Sequence, residues 1–118
     1  MCLFSVTFQD NRSGNFSLAN VAGVYVIADR QTGKLYVGSA TGTEGIWSRW
    51  CAYSATGHGN NRELIDLLQR EGHAYAQQFQ FGVLEIADTH ASADDILRRE
   101  SHWKDLLLTR VPHGYNAN

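Results

Sequence analysis

One acidic side chain interrupts the apolar face of a predicted helix near the end of the chain. In the segment SADDILRRESHWKDLLLTR, Glu100 falls in the same helical row as the apolar side chains Ile96, Trp103 and Leu107. An unpaired carboxylate is expensive to bury, so this glutamate needs a metal ion, a proton or a cationic side chain as its partner. Two interpretations remain open. Glu100 is a metal ligand, or it lies at the edge of the apolar stripe and snorkels or pairs with an arginine.

An arginine between two tryptophans is the second candidate for chemistry. Arg49 lies in the segment GIWSRWCAYSA, whose apolar helical face is formed by Ile46, Trp50 and Tyr53. If the arginine stem packs against Trp47 and Trp50, the guanidinium is held in place as a fork for phosphate oxygens. The alternative is an exposed arginine that stacks on a tryptophan.

Two tyrosines stand at matching places on either side of a turn in the segment GVYVIADRQTGKLYVGSA. Tyr25 and Tyr36 each have a glycine nearby, Gly23 and Gly38, and the missing side chains would leave room for a substrate to approach the phenols. The alternative is a cross-strand aromatic pair that only stabilises the sheet.

These candidates are distributed over elements in the order strand, strand, helix, helix, strand, helix. We predict strands over residues 21–29, 35–39 and 75–87, an edge strand over 3–8, and helices over 45–55, 61–71 and 92–110. Asn60, with Glu63 three residues later, is predicted to cap the second helix, which Gly72 ends. Ser92 with Asp95 is predicted to open the last helix, and Pro112 to stop it.

The hairpin sets the fold class. The first two long strands are joined by the turn QTGK, in which Gly33 supplies a positive φ, so they should pair antiparallel. We therefore predict an α+β fold with a small three-stranded, mainly antiparallel sheet flanked by helices. At 118 residues the chain is expected to form one domain, with a core over about 20–118 and an N-terminal extension over 1–19.

Bulk composition narrows the functional classes. The net charge of -2 argues against permanent association with nucleic acid but allows transient contact through a local basic patch. There is no apolar run of about 18 residues and no basic, apolar leader, so we expect a cytoplasmic protein without a membrane segment. Cys2 and Cys51 form no CxxC pair, and His58, in the segment TGHGNN, is the histidine best placed to reach a ligand.

Together these motifs resemble the GIY-YIG nuclease superfamily. The segments GVY and YVG match the two halves of the name motif, and the arginine, glutamate and terminal YN follow in the order typical of the family. The matching residues are Gly23, Val24, Tyr25, Tyr36, Val37, Gly38, Arg49, Glu100, Tyr115 and Asn116. The resemblance covers about residues 20–118 and implies a divalent-metal-dependent endonuclease that hydrolyses a DNA phosphodiester.

The resemblance also implies roles for the charged residues. Glu100 would hold Mg²⁺ or Mn²⁺, which supplies the positive charge that its apolar position requires. Arg49 would neutralise charge that builds on the phosphoryl group. Asn116 would orient a catalytic group or a phosphate by hydrogen bonding. Lys34 and His58 are expected to contact the substrate.

The tyrosines are expected to activate the water that attacks the phosphodiester. Tyr25 would activate the attacking water, Tyr36 belongs to the same site, and Tyr53 lies one turn after the arginine, where the family commonly has a histidine or tyrosine. Because an isolated phenol has a pKa of about 10, Tyr25 needs help, which Tyr53 is better placed to give than Lys34. We expect all these catalytic side chains to converge on one concave face.

Two alternative functions belong to classes of protein other than nucleases. The first is a non-catalytic nucleic-acid-binding module on the same scaffold, and the second is a protein-interaction domain, which would agree with the acidic second half of the chain. Because no separate DNA-binding module is recognisable, we expect either weak DNA affinity or a further DNA-binding domain or partner. Cutting both strands of a duplex would favour a homodimer or repeated nicking.

Overall fold

A hairpin with matched tyrosines forms one side of the sheet. In this computed structural model, which describes residues 5–7, 21–41, 45–59, 61–88 and 90–117, the sheet has four strands: β1 (Ser5–Thr7), β2 (Gly23–Asp29), β3 (Leu35–Ala40) and β4 (Phe79–Ile86). Their order is β1-β4-β2-β3. Strand β2 pairs antiparallel with both β3 and β4, which confirms the predicted antiparallel sheet, and β1 adds a parallel edge strand from the N-terminal extension.

The register of the hairpin brings both tyrosines to one face. Tyr25 lies opposite Gly38, and Tyr36 lies opposite Ile27. Residues opposite each other, and residues two apart on one strand, point to the same side of a sheet. The two phenols therefore share a face. The turn closes through a hydrogen bond from Gly33 N to Asp29 O of 2.7 Å, with Gly33 at φ +81° as predicted.

Three α-helices cover the sheet: α1 (Gly45–Thr56), α2 (Arg62–Glu71) and α3 (Ala93–Leu107). Ser92 and Asp95 form the predicted capping box at the start of α3. The cap of α2 is Asn61 rather than Asn60, because the Asn61 side chain accepts from Leu64 N, and Gly72 follows the helix as expected. Pro112 does not end α3, since Leu108 already adopts a left-handed conformation with φ 56°.

The predicted strand over 75–87 is too long at its start. Residues His73–Gln78 form a 3₁₀ helix, and the strand begins only at Phe79. Tertiary contacts outweigh the alternating pattern here, because the Tyr75 hydroxyl donates to the Asp29 carboxylate at 2.8 Å and Ala76 is fully buried.

The helices lie on both faces of the sheet. The face that carries Tyr25 packs against α1, α2 and the 3₁₀ helix around one apolar core, formed by Tyr25, Ile27, Ala40, Ile46, Trp50, Tyr53, Leu64, Leu67, Leu68, Ala76, Phe79, Phe81 and Tyr115. Helix α3 covers the opposite face, where its Glu100 bonds Ser39 and its Arg99 bonds Glu85. None of the described helices is long and apolar enough to cross a membrane.

Candidate active site

Three phenols and a guanidinium meet where α1 crosses the hairpin. The Tyr25 and Tyr53 hydroxyls lie 3.1 Å apart, and the Tyr36 and Tyr53 ring centroids are 6.1 Å apart. The guanidinium carbon of Arg49 lies 5.5 Å from the Tyr53 ring centroid. Because Arg49 and Tyr53 are one turn apart on α1, the helix presents both to the sheet tyrosines. Four of the predicted site residues are thus brought together as one cluster, which we call the tyrosine–arginine cluster.

The two glycines of the hairpin, Gly23 and Gly38, do not leave room for a substrate as expected. A Cβ on Gly38 would lie 2.5 Å from the Tyr25 hydroxyl oxygen, and a Cβ on Gly23 would collide with the backbone carbonyl of Glu85. The space beside them is therefore occupied by the protein itself. Gly38 makes room for the Tyr25 ring, not for a substrate.

Burial keeps both inner phenols neutral. It raises the pKa of Tyr25 to about 12, and the neighbouring Tyr36 phenol adds to the rise. A hydrogen bond from Tyr53 and the charge of Arg49 act in the opposite direction, as expected for groups that assist Tyr25, but they do not outweigh burial. Burial and the other two phenols also raise the pKa of Tyr53 far above its ordinary value. At neutral pH the phenol pair therefore carries no negative charge.

Arg49 is held as a charged group with a spare donor. Burial alone would lower its pKa, but the phenols of Tyr25 and Tyr53 raise it above its usual value. Its Nε atom is buried and has no hydrogen-bond partner among the described residues. The guanidinium is packed on the Tyr53 ring, and the rings of Trp47 and Trp50 contact each other edge to face at 4.5 Å. The Arg49 side chain is only half-buried, so its charged guanidinium suits a site for an anion.

Glu100 has a cation of its own. Its Oε2 lies 2.8 Å from Lys104 Nζ, and its Oε1 accepts from Ser39 Oγ at 2.6 Å. The ion-pair interpretation of the glutamate thus holds, with a lysine as partner in place of an arginine. A metal ion is not needed to balance the charge.

The residues around Glu100 still suit a magnesium ion. The described residues contain no group of three or more His, Cys, Asp or Glu side chains that could hold a metal. A single carboxylate, 16% exposed, nevertheless fits Mg²⁺, which keeps several waters and uses one or two carboxylates together with substrate phosphate.

Residues on both sides of β3 belong to the predicted site, and their convergence on one concave face stays a prediction. Gly38 faces Tyr25 and α1, whereas the next residue, Ser39, points to the other side and bonds Glu100 of α3. The reason is strand alternation, which sends neighbouring side chains to opposite faces. Strand β3, which lies at one edge of the sheet, carries residues of both halves.

Asn116 holds the outer edge of β3. Its side-chain oxygen accepts from Val37 N at 2.8 Å and from Thr109 Oγ1 at 2.6 Å, and its amide nitrogen donates to Val37 O at 2.8 Å. The carboxamide thus pairs with the strand backbone as a neighbouring strand would, and it is only 2% exposed. It is a positioning residue for β3, because its amide atoms bond the Val37 backbone and the Thr109 hydroxyl.

The two predicted substrate contacts differ in placement. The ammonium of Lys34 lies 5.7 Å from the centroid of the Tyr115 ring. His58 lies in the turn after α1, where a Cβ on its neighbour Gly59 would be 2.7 Å from the Tyr53 ring. The loop that carries His58 therefore borders the cluster.

Sequence reasoning missed the groups that support the site. Lys104 and Ser39 contact Glu100 directly, and the i, i+4 spacing of Glu100 and Lys104 was a signal for the ion pair. No pattern pointed to Asp29, a fully buried carboxylate whose Oδ2 accepts from the hydroxyls of Tyr115 at 2.6 Å, Tyr75 at 2.8 Å and Thr32 at 2.9 Å.

Comparisons with known proteins agree with the motifs. The family model described as the GIY-YIG catalytic domain matches residues 21–116. The solved catalytic domain of homing endonuclease I-TevI is 28% identical, with a TM-score of 0.60, and the match covers 82% of this chain and 98% of that one. A mutant of the catalytic domain of intron endonuclease I-TevI is 26% identical, with a TM-score of 0.61 and coverages of 83% and 94%. Comparison with curated proteins gave no match.

Proposed function

Since the chain belongs to the GIY-YIG catalytic-domain family, we propose that it is a divalent-metal-dependent endonuclease that hydrolyses DNA phosphodiester bonds. The observation that carries the proposal is the tyrosine–arginine cluster. It offers a charged, half-buried guanidinium, and the hydroxyl pair of Tyr25 and Tyr53 lies beside it.

Arg49 is the group that receives the phosphate. An arginine fork can bond two phosphate oxygens at once, and its charge opposes the negative charge that grows on the phosphoryl oxygens in the transition state. Packing on the Tyr53 ring fixes the guanidinium before the substrate arrives, so little ordering is left for the moment of reaction.

Tyr25 positions the attacking water as a neutral phenol. With a pKa of about 12, its hydroxyl is protonated at neutral pH and can accept a hydrogen bond from the water while it keeps its own proton. Tyr53, 3.1 Å away, fixes the direction of that hydroxyl. Tyr36 borders the same phenols and would contact a phosphate oxygen or its neighbour.

Glu100 is the proposed ligand of the metal, Mg²⁺ or Mn²⁺. When bound, the ion would stabilise charge on the phosphate and on the leaving oxygen. Ser39 and Lys104 hold the carboxylate in a fixed orientation, which favours a defined ligand direction.

The proposed partner is DNA, bound weakly by this chain alone. A net charge of -2 provides little general attraction for a phosphate backbone. We therefore propose that a further DNA-binding domain or partner protein, or a homodimer for double-strand cuts, completes recognition. His58 borders the cluster and is the proposed additional substrate contact, whereas Lys34 would contact DNA outside it.

A cleavage assay with matched variants tests the function. Plasmid, single-stranded and branched DNA are incubated with the protein, with and without Mg²⁺ or Mn²⁺. We expect metal-dependent cleavage that is lost in Arg49→Ala and in Glu100→Gln. The control Asp105→Asn alters an exposed carboxylate on α3, the helix that carries Glu100, and should retain cleavage. Circular dichroism checks that each variant is folded. DNA binding without cleavage of any substrate in either metal would refute the proposal and favour the non-catalytic binding module.

A further inference from the structure

Lys104 places a fixed positive charge at the carboxylate of Glu100. Its Nζ lies 2.8 Å from Glu100 Oε2, and the two side chains are only 7% and 16% exposed. The glutamate precedes the lysine by four residues on α3, which is the favourable order for such a pair. Because water screens a shielded pair poorly, this contact is stronger than a typical surface ion pair.

Both oxygens of the carboxylate are engaged in this arrangement. Ser39 Oγ donates to Oε1 at 2.6 Å, while Lys104 occupies the side of Oε2. A divalent ion bonds a carboxylate oxygen at about 2.1 Å, so an ion on Oε2 would lie within about 5 Å of the lysine ammonium. At that separation two cations repel each other strongly in a partly dry site.

We propose that Lys104 is a built-in counter-ion of Glu100 that competes with the divalent metal and so sets the metal concentration that the protein requires. The inference rests on the proposed function, in which Glu100 is the metal ligand. Lys104 then acts through Glu100 as a positioning residue: it keeps the carboxylate ordered and neutralised when no metal is bound, and it weakens metal binding by its charge.

The test is a titration of the DNA-free protein with Mn²⁺, in which electron paramagnetic resonance measures the free ion. Lys104→Met removes the charge and keeps much of the side-chain volume, so we expect it to bind Mn²⁺ about 10-fold or more tightly than the wild type. Lys104→Arg keeps the charge and should bind as weakly as the wild type. Arg98→Met, which removes an exposed cation from the same helix as Lys104, is the matched control and should leave Mn²⁺ binding unchanged.

The outcomes separate this inference from the proposed function. Equal or weaker Mn²⁺ binding by a folded Lys104→Met, or no detectable binding by either protein, would overturn the role of Lys104. If Lys104→Met does not fold, Lys104→Gln takes its place in the same titration. Glu100→Gln should lose Mn²⁺ binding; if it binds like the wild type, Glu100 is not the ligand and the proposed metal role fails, whatever Lys104 does.

Discussion

Replacing Tyr25 by phenylalanine distinguishes two ways in which its hydroxyl can act on the attacking water. Burial raises the pKa of Tyr25 to about 12. Ionising this phenol at pH 7 therefore costs about 7 kcal/mol, and about one molecule in 10⁵ carries a phenolate. If the phenolate were the general base, the cleavage rate would rise tenfold per pH unit from pH 7 towards that pKa. A neutral phenol that only holds the water gives no such rise.

For Tyr25→Phe we expect a loss of about 10²-fold in the cleavage step, because the water loses its hydrogen-bond partner while the ring keeps its packing. The stacked contact of the ring with Phe81, at a centroid distance of 5.0 Å, is retained. DNA affinity should stay nearly unchanged. The measurements are single-turnover cleavage from pH 6.5 to 9.5 and fluorescence anisotropy of labelled DNA without metal.

Tyr75→Phe is the control, since it removes a phenol hydroxyl that bonds Asp29 and lies outside the tyrosine–arginine cluster. It should reduce stability and leave the cleavage step unchanged at temperatures where the variant is folded. A full cleavage rate for Tyr25→Phe would show that the water is held elsewhere. A tenfold rise per pH unit in the wild type that disappears in Tyr25→Phe would instead establish the phenolate as base and refute the neutral role.

Three further substitutions test the supports of the site. Gly38→Ala places a methyl group 2.5 Å from the Tyr25 hydroxyl oxygen, so we expect a loss of about 1–3 kcal/mol in urea unfolding together with slower cleavage. Asn116→Ala leaves the Val37 backbone groups without their hydrogen-bond partners and should lower the free energy of unfolding by about 2–4 kcal/mol. A variant that melts at the same temperature as the wild type would contradict the positioning role of Asn116. Burial alone would raise the pKa of Asp29, but the hydroxyl and backbone groups that donate hydrogen bonds to its carboxylate lower that pKa overall. The stability that the ionised carboxylate contributes is therefore present above about pH 4, and it is lost as the pH falls through the lower folded-state pKa. Asp29→Asn should therefore be about 2 kcal/mol less stable than the wild type at pH 7, and a difference that did not shrink in acid would refute this.

Local sequence signals predicted most of the fold. The hairpin, the three helices and the capping box of α3 follow from short-range patterns: apolar periodicity, a turn glycine and the pair Ser92 and Asp95. The errors lie where contacts distant in sequence decide the structure. The 3₁₀ helix replaces the start of a strand because Tyr75 reaches Asp29, 46 residues away in the chain.

The sequence motifs predict which residues form the site, but they do not predict on which face of the sheet each side chain lies. A motif identifies Tyr25, Arg49 and Glu100 without stating on which side of the sheet each one lies. The partners of Glu100 show the same limit: Lys104 is visible from helical spacing, whereas Ser39 comes from a strand 61 residues away. The helical pattern left the partner of the glutamate open, and the structure places the lysine one turn later beside it.

Strand β3 is important because the two halves of the predicted site, the tyrosine–arginine cluster and Glu100, are contacted by neighbouring residues of this one strand. Tyr36 and Gly38 face the tyrosine–arginine cluster, while Ser39 reaches through to Glu100, so one short stretch of backbone fixes the distance between the two halves. Asn116 holds that stretch from outside by two hydrogen bonds to Val37, midway between Tyr36 and Gly38. A shift of β3 by one residue would exchange the faces of every side chain on it. The terminal asparagine therefore protects the register on which both halves depend, although it touches neither the phenols nor the carboxylate by any of its described hydrogen bonds.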